Sequence, residues 1–341
     1  MANRKFWTPD LSRRQVLKST AGLAAAPVLM GGFSGLAAAQ QGNLVFGSAS
    51  LGSTGYVIVE SISAVVNRHT DMRTSSMSTS GGAENLQLIG EGMIDMGQSA
   101  STDWPAATAG EGRFGSPIEM SQMFAYTLWA TIPIVRADSD IQTARDLAGY
   151  RVSPSTAGGS TRRTWEMMTE FLGVKDDIDW TYGSWRETYD AFLSGAIDCC
   201  PGLLAGGSPS PLMQELQASV DVRGLGWPQD AITHANEVNA GIMAYEVVPE
   251  RWTGVSEPTA CTASVGLLAA HPRVTAEQGY EITKAVFDNA EEVRNISMEL
   301  ENIDLDFAVR YLMDSMPVHP GSAQYFKEQG VWRDELTIAE G

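Results

Sequence analysis

Short apolar runs alternate with amphipathic helical runs along most of this chain, and that alternation restricts the fold more than any other feature. Leu44-Val45-Phe46 reads as a strand, and the segment after it puts Ile58, Ile62, Val65 and Val66 on one face at i, i+4, i+7, i+8 spacing. Strand-and-helix units follow at 72–77 with 86–89, and at 94–97 with the stretch after Trp104. Farther on, 150–153 reads as a strand leading to a helix that carries Trp165, Met168 and Leu172. Such repetition favours an α/β fold with mostly parallel strands. Ser184 with Glu187, and Thr275 with Gln278, have the spacing of capping boxes. The second should open a long helix containing Ile282, Val286 and Val293.

The pattern changes at 123–135, a long apolar run broken at Pro133 that reads as a crossing between two lobes. A second crossing is expected near 268–275, and 341 residues are enough for two lobes. The organisation expected is an export signal at 1–39, the first part of lobe 1 at 40–127, lobe 2 at 128–271, and a return to lobe 1 with C-terminal helices at 272–341. Solute binding should close the lobes about hinges near 128–135 and 268–275.

The first 39 residues carry no fold information. Arg4, Lys5, Arg13, Arg14 and Lys18 precede a Gly/Ala-rich apolar stretch, and Ala37-Ala38-Ala39 offers a cleavage site. Ser12-Arg13-Arg14-Gln15-Val16-Leu17-Lys18 resembles the twin-arginine export signal, with an ordinary secretory leader as the alternative. Either places the mature protein in the periplasm. The leader holds five Lys/Arg and one Asp, so without it 18 basic residues face 40 acidic ones, a net charge of −22. That surface repels nucleic acid and anionic lipid. No nucleic-acid partner, no membrane insertion and a monomer are expected. Cys199 and Cys200 end a strand-like run, Cys261 opens another, and all three read as small buried hydrophobes without metal-site spacing, with a disulfide between Cys261 and one of the pair as the alternative.

Glycine, serine and threonine gather at the strand-to-helix turns. Ser48, Ser50, Gly52, Ser53, Thr54 and Gly55 follow the first strand; Thr79, Ser80, Gly81 and Gly82 follow the second. Ser99, Ser101 and Thr102 follow the third, and Gly158, Gly159, Ser160 and Thr161 follow a strand of the expected second lobe. In open α/β sheets these turns line the crevice at the carboxyl ends of the strands. Helix N-termini there supply N–H donors and positive dipole ends, and glycine lets backbone approach a ligand. For any single turn, helix capping explains the same residues; four such turns favour a cleft for a small anion. Thr79, Gly81, Ser160 and Thr161 are expected to hold the anionic group, one turn from each lobe. Arg162 or Arg163, in the first turn of a helix where a cation opposes the dipole, is a candidate partner for a second carboxylate, or else half of a surface ion pair. Trp129 and Trp185 are candidate stacking residues, whereas Trp165 has the spacing of a core residue.

Catalytic patterns are missing. The four histidines form no H-E-x-x-H, no lysine follows Gly158-Gly159 as a P-loop requires, and there is neither G-x-S-x-G nor G-x-G-x-x-G. No enzyme activity, metal or cofactor is expected.

Several longer motifs resemble the TAXI family, the extracytoplasmic solute receptors of TRAP-type transporters. Pro317-Val318-His319-Pro320-Gly321-Ser322-Ala323-Gln324-Tyr325-Phe326-Lys327-Glu328-Gln329-Gly330 is similar to the family's run P-x-H-P-G-A, two residues, Y-[YF]-x-E-x-G, with Ser322 for alanine. Thr79, Gly81, Glu84 and Asn85 match T-G-G-S-x-E-N, with Ser80 and Gly82 exchanged. Gly158-Gly159-Ser160-Thr161 is similar to G-S-G-T, residues 146–152 to D-L-x-G-K-R-V, and 206–211 to a longer form of G-x-P-[ST]-P. The resemblance implies a two-lobed type II periplasmic-binding-protein fold with a hinge and a central cleft. It also implies a small organic acid or amino acid as ligand, glutamate or a related dicarboxylate among them, and an integral-membrane TRAP subunit as partner. A receptor of an ATP-driven importer, or an exported enzyme on the same scaffold, are the alternatives. His319 reads as a structural histidine that ties down the C-terminal segment.

Overall fold

The computed structural model describes residues 43–296 and 300–340; the export signal expected at 1–39 lies outside the described residues. Eleven strands among those residues build one mixed sheet: β1 (Leu44–Gly47), β2 (Thr74–Met77), β3 (Met96–Ala100), β4 (Ser121–Arg136), β5 (Arg151–Val152), β6 (Asp179–Trp180), β7 (Cys199–Ala205), β8 (Ser208–Pro209), β9 (Val222–Gly224), β10 (Met243–Val247) and β11 (Thr259–Ala270). The main order is β2-β1-β3-β11-β4-β7-β5-β6. β1 runs parallel to β2 and β3 at one end, and β5 runs parallel to β6 and β7 at the other. Each group is a set of strand-turn-helix units, as the alternating pattern requires.

Between the groups, β4 and β11 pair antiparallel from Thr262 opposite Thr131 to Ala270 opposite Ser121. Their register shifts at Gly266/Leu267 and again at Leu268/Ala269. Such bulges bend and twist a strand. Contrary to expectation, Pro133 does not break β4. It lies inside the strand, directly opposite Pro201 of β7. The Pro133 carbonyl accepts from Leu225 N at 2.7 Å, on the β9 side. Because the N and C=O of one strand residue face the same way, the missing N–H costs the β4–β7 ladder nothing.

Helices cover both groups. Thr54–His69 buries Ile58, Ile62, Val65 and Val66 against the first group, with Phe46 beneath them. Ser160–Phe171 buries Trp165 and Met168 beside the second. Both capping boxes form in full, at Ser184/Glu187 and Thr275/Gln278. The helix after Thr275 is shorter than its apolar spacing indicated. It stops at Asp288, Asn289 leaves helical geometry with φ −114° and ψ 28°, and Val293 falls in the separate helix Ala290–Arg294. Cys199 and Cys200 open β7 rather than close a strand. All three cysteines are free and buried, and burial pushes their thiols well above the ordinary range.

Candidate functional site

The carboxyl-end turns of the first strand group are bound together by two buried amides. Asn85, fully buried in the helix Gly82–Gly90, directs its Nδ2 at the carbonyls of Gly47 (3.1 Å), Ser48 (2.7 Å) and Gln98 (2.9 Å), one from each neighbouring turn or strand. Its Oδ1 lies 2.8 Å from the Thr79 hydroxyl. Gln98 donates to the Ser48 carbonyl at 3.1 Å, and its Oε1 accepts from the Tyr126 hydroxyl at 3.3 Å. The amides require glycine around them. A Cβ on Gly47 would lie 2.4 Å from Asn85 Oδ1, and one on Gly97 would lie 2.8 Å from Asn85 Cβ.

This network commits several of the expected ligand donors to the fold. The Thr79 hydroxyl sits between the Ser48 carbonyl and Asn85 Oδ1 and accepts from Gly81 N, so its role is structural rather than the ligand contact expected. Ser99 is fully buried, donating to the Leu267 carbonyl and accepting from Trp104 Nε1, which removes it from the cleft. Ser53 caps the helix Thr54–His69 by accepting from Tyr56 N. Ser80 donates through both N and Oγ to Glu84, and these bonds, the side-chain one foremost, hold the Glu84 carboxyl below its ordinary range. Arg162 is the surface ion pair weighed as its alternative. It bonds Glu166 at 2.7 Å and the Ala157 carbonyl at 2.7 Å, and lies over the Tyr182 ring.

Most of the remaining expected residues lie at helix N-termini and in the turns around them. The helices Gly82–Gly90 and Ser160–Phe171 both have a glycine N-cap, Gly81 and Gly159, with no side-chain cap. The helices at Ser53, Ser184, Ser210 and Thr275 are capped by their own hydroxyls. Glycine leaves the first N–H groups free for an anion. Geometry demands it in both places: Gly81 has φ +124°, and a Cβ on Gly159 would lie 2.6 Å from Thr156 Oγ1. Ser160 and Thr161 are half-buried in the first turn of the second helix, and Ser50 is exposed in the first turn of the fold. Thr54, half-buried, opens its helix. Trp129 is half-buried and edge-on to Tyr126, and Trp185 is half-buried and edge-on to Tyr189. Leu51, between Ser50 and Gly52, is 76% exposed.

The two turn faces meet. Arg113 donates to the Gly158 carbonyl at 3.3 Å, and Arg163 donates to the same carbonyl at 3.2 Å while pairing with Asp103. Asp103 follows β3 and Arg163 lies in the helix after β5, so these contacts join the first group's carboxyl ends to the second's. Burial pushes the Asp103 carboxyl above its ordinary range against the pull of Arg163 and Arg113. A separate concavity of about 450 Å³, with Gln87, Phe114, Pro117 and His271 in its wall, lies elsewhere and includes none of the expected site residues. Among the described residues no cluster of three or more His, Cys, Asp or Glu is placed to hold a metal ion, and no helix is long and apolar enough to cross a membrane.

The model of the NMT1-like family matches residues 46–330, which includes both turn faces and the C-terminal histidine motif. The chain belongs to the NMT1-like family. A twin-arginine translocation signal matches residues 10–30 of this NMT1-like chain, which is therefore exported, in agreement with the periplasmic location expected. Among solved structures, one described as a periplasmic transporter superposes with a TM-score of 0.50 at 12% identity, over 76% of this chain and 86% of that one. The periplasmic aliphatic sulphonate binding protein SsuA of Escherichia coli superposes with a TM-score of 0.45 at 17% identity, over 76% of this chain and 78% of that one. At such identities the likeness concerns the fold, and the NMT1-like chain has the α/β type II periplasmic-binding-protein fold. Export supplies a test of its own. Replacing Arg13 and Arg14 with lysine keeps the charge but removes the planar guanidinium groups. Cell fractionation is expected to find the double variant as precursor in the cytoplasm; normal periplasmic accumulation would indicate the general secretory route.

Proposed function

We propose that this chain is the extracytoplasmic solute receptor of a TRAP-type secondary transporter of the TAXI kind. It takes up a small carboxylate, glutamate or a related dicarboxylate, between its two turn faces and delivers it to the membrane symporter. The observation that carries the reading is the pair of glycine-capped helix N-termini, one on each face, with the faces already in contact through Arg113, Arg163, Asp103 and Gly158. Each terminus offers free N–H groups and a positive dipole end, which suits reversible binding of an anion without a catalytic group. Ser50, Ser160 and Thr161 add hydroxyls, and Trp129 and Trp185 supply walls. The antiparallel pair β4–β11 is the proposed hinge between two lobes, with the register shifts near Gly266 as its flexible point. The TAXI reading is supported by the C-terminal motif around His319, and the family match and export signal support a receptor outside the cytoplasm.

Two threonines separate ligand binding from helix capping. A charge-assisted hydrogen bond is worth about 1.5–3 kcal/mol. Thr161→Ala is therefore expected to weaken binding of L-glutamate about ten- to a hundredfold. Thr79→Ala is expected to lower the melting temperature and leave affinity nearly unchanged, because its hydroxyl serves the Ser48–Asn85 network. Calorimetric titration with thermal melts of both variants measures the split. Unchanged affinity in Thr161→Ala would remove the second face from the site.

A further inference from the structure

We infer that Ser155 is a solute-contacting residue of the second turn face, its hydroxyl donating to an oxygen of the bound carboxylate. The inference rests on the receptor reading above and assigns one donor within it. Ser155 lies in the turn between β5 and the helix Ser160–Phe171, upstream of the glycine N-cap. It is 2% exposed, and its hydroxyl has no hydrogen-bond partner among the described residues. Its backbone sits at φ +74°, and among the described residues it is the one non-glycine residue with a positive φ. Both features count against serine in a resting fold. Left-handed backbone disfavours any side chain with a Cβ, and a buried polar atom without a partner is a net cost. Glycine would avoid both.

The turn itself does not use the hydroxyl. Gly183 N donates to the Ser155 backbone carbonyl at 3.3 Å, which fastens this turn to the next and needs no side chain. Ser153, two residues back, pairs with Thr188 at 3.1 Å, and Ser184 caps its own helix. Other buried hydroxyls without partners, at Ser76, Thr102, Thr127 and Thr262, have ordinary backbone angles. Among the described residues, strain and an unused donor coincide only at Ser155, in the turn that feeds an uncapped twelve-residue helix. Strained backbone and unmet buried polar groups cluster at ligand clamps and active sites.

Ser155→Gly tests this, because a structural role and a binding role move its two readouts in opposite ways. The mature protein, Ser155→Gly and Ser155→Ala are each titrated calorimetrically with L-glutamate, glutarate and 2-oxoglutarate, and melted without ligand. Ser155→Gly is expected to melt at or above the parent temperature and to bind the preferred acid about tenfold more weakly. Ser155→Ala is expected to lose affinity to a similar degree. Parent affinity in both variants would overturn the role of Ser155 and leave the carboxylate reading standing. Failure of the unsubstituted protein to bind any of the three acids would overturn the carboxylate reading, and this inference with it.

Discussion

Asn85→Ala is expected to destabilise the protein by about 3 kcal/mol, among the largest effects of any single truncation in the first strand group. The side chain is fully buried and is the common partner of three backbone carbonyls belonging to β1, its following turn and β3. Alanine leaves the Gly47 and Gln98 carbonyls facing a cavity. Each such group costs about 1–3 kcal/mol when water cannot reach it. The Ser48 carbonyl keeps Thr79 and Gln98 as donors and softens the loss. Urea unfolding at neutral pH measures the effect as a lower midpoint with an unchanged slope. Coupling gives a second readout. Gly47→Ala alone drives a Cβ to 2.4 Å from Asn85 Oδ1, so its cost should shrink in the Asn85→Ala background. Additive costs would contradict the amide's part in holding these turns together.

His319→Ala is the other large expected loss, again about 2–4 kcal/mol from an unmet buried group and a cavity. The ring is 2% exposed, donates from Nε2 to the Val274 carbonyl at 2.9 Å, and accepts at Nδ1 from Gly321 N at 3.2 Å as the N-cap of the helix Pro320–Glu328. A Cβ on Gly279 would lie 2.2 Å from the ring, so the helix Ala276–Asp288 is packed directly on it. The C-terminal segment is also held by Gln122, which bonds Pro317, His319, Met313 and Met316. Burial lowers the His319 pKa below its ordinary 6.5. A lowered pKa gives stability that is present above the unfolded value and is lost as pH falls through the folded one. The parent should therefore lose stability as pH drops below about 6.5, where the unfolded ring takes up its proton first. His319→Asn, which retains a capping side chain, should show a shallower loss over the same range. His271 is lowered too, chiefly by burial, so part of the slope should survive. An unchanged pH profile in His319→Asn would show that the ring is not held neutral by the fold.

The strand-turn-helix units were readable because they are local. The apolar spacing of 54–69 and the two capping boxes involve neighbours within one or two helical turns, and sequence carries that directly. Pro133 misled because its compatibility with β4 depends on Pro201 and Leu225, far along the chain. The same distinction divides the site. Glycine-capped termini at Gly81 and Gly159 were visible as turn residues. Whether a hydroxyl faces a cleft or turns inward was not, since Ser99 finds its acceptor 168 residues away at Leu267 and Thr79 finds its own 31 residues away at Ser48. Asn85 and Gln98 hold the first face together; Asn85 stood out as a motif residue, but its place beside Leu86 and Ile89 gave no sign of the three carbonyls it binds. Ser155 was silent for a different reason. Its signal is a backbone angle, and serine in a turn is otherwise ordinary.

Mass spectrometry of the solute released on denaturing protein freshly purified from the periplasm, without dialysis, tests the central claim most directly. The expected result is one small carboxylic acid, at about one per chain, that also binds the refolded protein and is recovered unchanged after incubation with it. A stoichiometric neutral sugar or an uncharged amide in its place, or conversion of the bound solute by the protein, would contradict a receptor built to hold a carboxylate between two helix N-termini.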